Sequence, residues 1–276
     1  MSTIDGAAAA ARIMEPLKQK VKSLGGTPGL AVILIGDDPA SHVYVGLKEE
    51  AAKKVGVYFE KHLLPASARQ QEVIELLRTL STKEGIHGII IQFPLPKGLD
   101  KASVMNAIAP EKDVDGFRPD NIEALLAGRP IIIPGLPAGI VQLIDSTGEE
   151  LEGKRTMVIA RSSVFSKPLG YLLERKGILV EAYPPEERVL KYKIAKADIL
   201  IVAVGKPRLI TGEMVKEGVI VIDVGYNRVN GKPVGDVDFE SVSEKAAWIT
   251  PVPGGVGPMT VAMLLYNVVR AYEQQQ

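Results

Sequence analysis

Tyr44 and Lys48 are the first residues in this chain whose types and spacing could carry chemistry. They are four positions apart in a helical pattern, so their side chains share one helix face. An aromatic ring beside an ammonium group at the edge of a core could stack on a flat heterocycle and transfer protons. The alternative is a packed tyrosine beside a lysine whose stem covers apolar surface and whose ammonium reaches water. We predict that the neighbouring residues Val43, Leu47 and Val55 face the core.

Gln92 and an acidic segment at residues 112–116 are two further candidates. Gln92 ends an apolar strand and precedes two prolines, so its amide could bond a buried lysine or simply lie at the surface. The segment reads Lys-Asp-Val-Asp-Gly, and a carboxylate there could accept two N–H groups of a heterocycle at once. Asp113 is expected to brace this loop. A plain turn remains an alternative, whereas a calcium loop lacks its other oxygen ligands.

A loop near the C-terminus combines three glycines and three prolines within residues 251–258. Gly254, Gly255 and Gly257 have no Cβ, so the backbone there can adopt positive φ and a ligand can approach it closely. Pro258 suits the first turn of the helix that follows. The pattern predicts a rigid loop that directs amide groups at a polar or anionic ligand. A tight loop without a ligand is the alternative.

Arg161 and Ser162 follow a strand in the second half of the chain, at the start of a strand–helix–strand pattern. The carboxyl end of such a strand is the usual phosphate site of an open α/β sheet. The glycine fingerprint of dinucleotide-binding folds is absent, so a purely structural crossover is the alternative.

Apolar strands that alternate with helical patterns predict an α/β fold with parallel sheets covered on both faces. The second half is expected to be a Rossmann-like doubly wound parallel sheet, with Asn230-Gly231 forming a hairpin turn. Strands are predicted over residues 29–35, 57–64, 86–92, 156–160, 179–183, 199–204, 219–224 and 247–250. Helices are predicted over residues 7–24, 40–55, 71–80, 101–108, 121–127, 137–146, 168–176 and 259–274.

Composition excludes several classes of protein. The 33 basic and 33 acidic residues cancel, so no global field attracts nucleic acid. No apolar run approaches the roughly 20 residues of a membrane helix, and residues 1–18 lack the pattern of a signal peptide. The chain has no cysteine, and its three histidines lack metal-ligand spacing. We expect a cytoplasmic enzyme without a metal site and without a membrane or nucleic-acid partner.

The chain resembles the methylenetetrahydrofolate dehydrogenase/cyclohydrolase family. Residues 253–261 (Pro-Gly-Gly-Val-Gly-Pro-Met-Thr-Val) are similar to its C-terminal signature. Tyr44 and Lys48 match its Tyr-x-x-x-Lys pair, and residues 112–116 match its Lys-Asp-Val-Asp-Gly motif. Matching segments follow in order from Asp5 to the end, so the resemblance covers essentially the whole chain.

The resemblance implies roles for the candidates in the first half. Lys48 is implied to be the catalytic group, with Gln92 orienting it. Tyr44 is implied to stack on the pterin of a folate, and Asp115 to hold the pterin N–H groups. Three loop residues are expected to complete the folate site: Pro253, Gly254 and Gly255.

The resemblance also implies NADP as the cofactor, bound by the second half. Arg161 offers a permanently charged planar fork for the 2′-phosphate, and Arg188 is a second candidate. Glu186 and Glu187 would oppose that phosphate if they pointed inward, but we expect them to be solvated loop carboxylates. The other expected cofactor contacts are Ser162, Ser166, Val204, Gly205, Gly225 and Thr260.

Several positions depart from the family pattern. Phe93, after Gln92, replaces a leucine, and four departures lie near the expected cofactor site. Ala160 and Ser166 replace two glycines of the phosphate loop, and Ser166 either crowds a pyrophosphate with its Cβ or donates its hydroxyl to it. Pro184 and Pro185 replace hydroxyl residues near the expected ribose position. With one guanidinium and no hydroxyl donors, we predict a modest preference for NADP over NAD.

The resemblance implies two activities in one-carbon folate metabolism, which supplies purine biosynthesis. The first oxidises 5,10-methylenetetrahydrofolate to the methenyl form with NADP, and the second hydrolyses that product to 10-formyltetrahydrofolate. A monofunctional dehydrogenase and a non-enzymatic nucleotide- or folate-binding protein are the alternatives. The predicted domains are a folate domain, residues 1–135 completed by 258–276, and a dinucleotide domain, residues 136–257. An active-site cleft between the domains and a homodimer are also implied.

Overall fold

The structure, a computed structural model of the 276-residue chain, describes residues 2–186 and 190–276. The chain divides into two compact α/β units. The six-strand unit comprises Met1–Ala11 and Leu136–Thr260, and the three-strand unit comprises Arg12–Gly135 and Val261–Gln276. The predicted two-domain α/β class is confirmed.

The three-strand unit is built on a parallel sheet with the order β3-β2-β4. Its strands are β2 (Gly29–Ile35), β3 (Tyr58–Leu64) and β4 (Gly88–Gln92). Every residue of β2 is buried, because side chains alternate between two apolar clusters on opposite faces. The helices of this part of the chain are α2 (Pro39–Val55), α3 (Gln70–Thr82), α4 (Lys101–Asn106) and α5 (Pro119–Leu126), with a short 3₁₀ turn at Pro110–Lys112.

The six-strand unit contains a sheet with the order β1-β11-β8-β7-β5-β6, in which every neighbouring pair is parallel. The chain runs from β5 outward to β6 and then returns to β7 on the other side of β5. The carboxyl end of β5 is therefore the topological switch point of the sheet, where such folds bind ligands. Its strands are β1 (Ser2–Thr3), β5 (Arg155–Ala160), β6 (Leu179–Tyr183), β7 (Ile199–Ala203), β8 (Ile220–Asp223) and β11 (Trp248–Ile249).

The remaining elements include the predicted hairpin. β9 (Asn227–Val229) pairs antiparallel with β10 (Lys232–Val234), and the turn residues Asn230 and Gly231 have φ of 52° and 77°. The positive φ at both positions is what the Asn-Gly pattern predicts. Helices α1 (Gly6–Ser23), α6 (Gly135–Asp145), α7 (Ser163–Glu174), α8 (Leu190–Ile194), α9 (Phe239–Ser243) and α10 (Val256–Gln274) complete the chain. No helix in the described ranges is long and apolar enough to cross a membrane.

Three structural predictions need correction, and the N-terminus gives the first. Residues 2–11 were expected in the folate domain, but β1 pairs with β11 at the edge of the six-strand sheet. Two residues are too few for a periodic pattern to reveal a strand. The other predicted boundaries between the folate domain and the dinucleotide domain stay predictions.

The second correction concerns α7, which begins at Ser163 rather than at Pro168. Pro168 lies inside the helix, where it gives up one backbone hydrogen bond. Phe165, Leu169 and Leu173 on the same helix are buried, and their burial offsets that loss. The predicted phosphate loop after β5 is therefore reduced to Arg161 and Ser162.

The third correction concerns the face of α2. Val43 and Leu47 were expected to face the core, but they are 58% and 49% exposed. Val55 is buried as predicted, together with Val45 and Ala52. The buried face of α2 is therefore narrower than the number of apolar residues in the helix suggested.

Candidate active site and cofactor-binding loops

Lys48 and Gln92 meet in the three-strand unit although they are 44 positions apart in the sequence. The Lys48 Nζ donates to the Gln92 Oε1 at 2.9 Å, and the Gln92 Nε2 donates to the Phe93 carbonyl at 2.8 Å. The second bond fixes which end of the amide faces the lysine. Asp38 caps the start of α2 by accepting from the Ser41 amide at 2.8 Å, which sets where this helix begins and how Lys48 projects from it.

Lys48 belongs to a charged group that also contains Asp115 and Lys101. Burial lowers the pKa of Lys48, and the nearby negative charge of Asp115 opposes this shift. Burial raises the pKa of Asp115, and the positive charges of Lys48 and Lys101 oppose that shift. Lys48 can therefore exchange protons closer to neutrality than an ordinary lysine does.

The loop that carries Asp115 is braced by Asp113, as the sequence predicted. Asp113 is fully buried and accepts from the amides of Gly116 and Arg118 and from the Asn121 side chain at 3.2, 2.9 and 3.0 Å. Burial raises the pKa of Asp113 to about 6. Gly116 has a φ of 75°, and a Cβ there would lie 2.9 Å from the Pro134 backbone. This bracing sets the position of the next carboxylate along the loop.

The carboxylate of Asp115 accepts no hydrogen bond from the described residues, whereas its backbone carbonyl accepts from the Gly135 amide at 3.4 Å. Its half-buried carboxylate is thus available to N–H groups of a ligand. Tyr44 is also half-buried and lies one turn before Lys48 on α2.

The sequence reading missed Lys101, whose Nζ lies 4.5 Å from the centre of the Phe93 ring. Phe93 is the residue that departs from the family's leucine.

Arg161 lies directly after β5, at the switch point of the six-strand sheet. Its Nε donates to the Val204 carbonyl at 2.9 Å, and its Nη1 bonds Glu186 Oε1 at 2.9 Å. We expected Glu186 to be a solvated loop carboxylate. It is exposed, but its carboxylate faces Arg161. Glu187 and Arg188 lie outside the described residues.

Ser162 is the residue before the first turn of α7, and its side chain makes no capping hydrogen bond. The first amides of a helix have no partner within the helix, so this end of α7 can receive an anion. The Ser166 amide donates to the Ser162 carbonyl at 3.1 Å, which places Ser166 in the helix rather than in a loop. Ser162 thus lies nearest to the end of β5, and Ser166 lies one turn further.

Asp236 organises the loop after β7, and the sequence reading missed it. This fully buried carboxylate accepts from the amides of Val204, Gly205 and Lys206 at 2.6, 2.9 and 2.9 Å. A Cβ on Gly225 would overlap the Asp236 carboxyl group. A recognisable signal was the pair of segments Asp-Val-Gly at 223–225 and Gly-Asp-Val at 235–237.

The glycine- and proline-rich loop near the C-terminus, residues 251–258, is tightly packed at its centre. Gly254 has a φ of 109°, and a Cβ on Gly255 would lie 2.6 Å from the Thr250 side chain. Pro253 is exposed. The Thr260 hydroxyl donates to the Gly257 carbonyl at 2.6 Å within α10, so its remaining capacity towards a ligand is as an acceptor. A glycine is therefore required at position 255 by packing against Thr250, whether or not a ligand binds there.

The predicted residues therefore form two groups. Lys48 and Asp115 belong to the charged group of the three-strand unit, Gln92 is hydrogen-bonded to Lys48, and Tyr44 lies on the same helix face as Lys48. The cofactor candidates cluster at the carboxyl ends of β5, β7 and β8 in the six-strand unit, namely Arg161, Ser162, Val204, Gly205 and Gly225. Ser166 lies one helical turn further, and Thr260 lies apart in α10.

Comparison with known proteins identifies relatives of both parts of the chain. Residues 4–115 match the tetrahydrofolate dehydrogenase/cyclohydrolase catalytic domain, and residues 134–276 match the NAD(P)-binding domain of the same family. A bifunctional protein FolD of Moorella thermoacetica is 48% identical over 272 residues, which cover 97% of each chain.

Two solved structures are similar over nearly the full length. The bifunctional FolD methylenetetrahydrofolate dehydrogenase/cyclohydrolase of Campylobacter jejuni has a TM-score of 0.95 and 42% identity, and the match covers 100% of both chains. The Trypanosoma brucei enzyme, solved with NADP and an inhibitor, has a TM-score of 0.93 and 34% identity, and the match covers 99% of this chain and 98% of that one.

Proposed function

This chain belongs to the tetrahydrofolate dehydrogenase/cyclohydrolase family, and we propose that the two groups of residues described above carry its two activities. The protein oxidises 5,10-methylenetetrahydrofolate to 5,10-methenyltetrahydrofolate with NADP, and it hydrolyses that product to 10-formyltetrahydrofolate. The observation that carries the site assignment is the Lys48–Gln92 hydrogen bond beside the Asp115 carboxylate, which accepts no hydrogen bond from the part of the chain that the structure describes.

Lys48 acts in the hydrolytic step. Water adds to the cationic carbon between N5 and N10 and loses a proton to the amine, which must be neutral to accept it. The bond between this carbon and N5 then breaks: the hydroxyl loses its proton as its oxygen becomes the formyl carbonyl, N5 gains a proton, and the formyl group stays on N10. Burial lowers the pKa of Lys48, so the neutral amine is more available than for a lysine in water. The Gln92 oxygen holds the amine in one position.

Asp115 and Tyr44 bind the folate in this proposal. The Asp115 carboxylate accepts two N–H groups from the edge of the pterin, and the ring of Tyr44 stacks on its face. Asp115 must be ionised to accept both. Burial raises its pKa, and the positive charges of Lys101 and of Lys48 in its protonated form oppose this rise. Pro253, Gly254 and Gly255 complete the folate site. Their support is the family resemblance together with the positive φ at Gly254.

The six-strand unit binds NADP, which accepts a hydride from the methylene carbon when it is bound. A dinucleotide fits the residues present, because Arg161 and the uncapped start of α7 both lie at the switch point of the sheet. Arg161 holds the 2′-phosphate, while Ser162 and Ser166 contact the pyrophosphate. Val204, Gly205, Gly225 and Thr260 line the rest. The protein's contribution to hydride transfer is to orient the two reactants.

The decisive experiment follows both reactions in the wild type and in Lys48→Met, which keeps the length of the side chain and removes the amine. Hydrolysis of methenyltetrahydrofolate should fall by about 10²–10⁴-fold, the usual effect of removing a general acid–base. Lys54→Met, at an exposed position of the same helix, is the matched control. Most hydrolysis surviving in Lys48→Met would show that another group handles the proton.

The same assays separate the alternatives. A monofunctional dehydrogenase would reduce NADP without hydrolysing the methenyl product, and a non-enzymatic binding protein would do neither. Both reactions in the wild type, with hydrolysis lost in Lys48→Met, support the proposal as stated.

We infer that the protein acts as a homodimer through the edge strand β3. This strand has a neighbour on one side only, and its side chains Tyr58 and Leu63 are 51% and 57% exposed. A second copy could pair with this edge and bury both residues. Leu63→Lys should convert the dimer into a 29.7 kDa monomer in sedimentation measurements. Leu179→Lys, on the edge strand β6, should leave the dimer intact, and a dimeric Leu63→Lys would place the interface elsewhere.

The proposed place of action is the cytoplasm, without a nucleic-acid partner. The absence of cysteine fits a protein that does not depend on disulfides, and the balanced charge offers no basic surface field. Cell fractionation tests the first statement, and retention on immobilised DNA or RNA would contradict the second.

A further inference from the structure

Asp236 is held at the centre of the loops that the cofactor is proposed to contact. Its Oδ2 accepts from the amides of Val204 and Gly205, and its Oδ1 accepts from the Lys206 amide and from Asn227 Nδ2, with all four distances between 2.6 and 2.9 Å. Four donors saturate a carboxylate. These three consecutive backbone amides are thus fixed by one buried side chain.

A second carboxylate locks Asp236 in place. Asp223, at the end of β8, accepts from the amides of Gly225, Asp236 and Val237 at 2.9, 3.0 and 2.9 Å. The packing is reciprocal, because a Cβ on Gly225 would overlap Asp236 and a Cβ on Gly235 would overlap Asp223. The two Asp–Gly pairs therefore join the end of β8 to the segment after the hairpin.

The loop passes this constraint on to Arg161. The Val204 amide donates to Asp236, and the Val204 carbonyl accepts from the Arg161 Nε at 2.9 Å. A single peptide residue thus connects the buried carboxylate to the guanidinium proposed to hold the 2′-phosphate. The bond from Nε holds one edge of the guanidinium at the loop, while Nη1 bonds Glu186.

We propose that Asp236 is a positioning residue for NADP, which sets the loop of residues 204–206 and, through Val204, the orientation of Arg161. The inference rests on the proposed cofactor site. It extends that site to a fully buried residue whose carboxylate is bonded to protein donors. A carboxylate suits this position because it presents acceptors only, whereas an amide would turn an N–H donor towards backbone N–H groups.

The test compares Asp236→Asn with the wild type by calorimetric titration of NADP and of NAD. The dissociation constant for NADP should rise by about tenfold or more, the effect of losing one or two charge-assisted hydrogen bonds. That for NAD should rise less, because NAD has no 2′-phosphate for Arg161 to hold. The ratio of the two affinities should therefore fall, which a general loosening of the fold would not produce.

Asp198→Asn is the matched control. Asp198 also accepts a backbone amide, from Arg155 at 2.7 Å, but it precedes β7 at the opposite end of that strand. Its replacement should leave the ratio of NADP to NAD affinity unchanged. Where Asp236→Asn does not fold, Asn227→Ala removes one donor from the same carboxylate and should lower the ratio in the same direction by a smaller amount.

Equal losses for NADP and NAD in Asp236→Asn, or no loss, would overturn the proposal, and so would an unchanged ratio in Asn227→Ala. A wild type that binds neither cofactor would instead refute the proposed dehydrogenase function. Methenyltetrahydrofolate hydrolysis, which uses no nicotinamide, serves in each variant as the check that the protein is folded.

Discussion

Glu186 should determine how strongly this enzyme prefers NADP. In the structure its carboxylate accepts a hydrogen bond from Nη1 of Arg161, a guanidinium nitrogen that would also bind the 2′-phosphate. Binding of NADP must open this ion pair and then leave a negative charge near the phosphate. Glu186→Gln keeps the size of the side chain and removes the charge. We therefore expect the change to favour NADP and to leave NAD nearly unaffected.

The exposure of the pair limits the magnitude. The side chains of Arg161 and Glu186 are 49% and 60% exposed, so water screens both partners. Exposed pairs are worth roughly 0.2–1 kcal/mol, and the repulsion that the phosphate would meet is of similar size. The two effects together amount to about 0.4–2 kcal/mol. Removing the charge should therefore raise kcat/KM for NADP by roughly two- to thirtyfold, since about 1.4 kcal/mol corresponds to a factor of ten.

The assay measures kcat/KM for both cofactors in the wild type, Glu186→Gln and Arg161→Ala. Arg161→Ala should remove most of the NADP advantage while NAD is retained. Glu213→Gln, which removes a carboxylate from another exposed pair of the six-strand unit, is the control. An unchanged cofactor ratio in Glu186→Gln, or equal loss of both cofactors in Arg161→Ala, would refute the reasoning.

Three further predictions follow from buried charges. Asp115→Ala should weaken folate binding by about 1–3 kcal/mol, because pterin N–H groups lose their acceptor, and calorimetry should find NADP affinity unchanged. The rate of methenyl hydrolysis should rise with pH through the lowered pKa of Lys48, and this rise should be absent in Lys48→Met. Burial raises the pKa of Asp223 to about 6, so the folded protein binds more protons there than the unfolded chain, and up to about 3 kcal/mol of stability is lost as pH rises from about 4 to 6. An NMR titration that places the carboxyl midpoint near 3.8 would contradict this last expectation.

Much of the fold could be predicted from local patterns in the sequence. Strands β2 and β6 were predicted with their observed bounds, and the ends of α2, α3 and α10 were predicted to within three residues. Uninterrupted apolar runs mark buried parallel strands, and Asn-Gly marks a turn with two positive φ values. Tyr44 and Lys48 could be found in the same way, because helix periodicity alone places them on one face.

Contacts between distant segments could be decided only by the tertiary structure. The hydrogen bond from Lys48 to Gln92 depends on the β2–β4 pairing, which carries the end of β4 to the helix that follows β2. The Arg161–Glu186 pair and the bonds from residues 204–206 to Asp236 likewise join segments that are 25 or more positions apart. A periodic pattern reports which face of an element is buried, but it contains no information about which distant side chain lies opposite. Sheet order and loop geometry supply that information, and so the sequence indicated the chemical groups while the fold determined how they are paired.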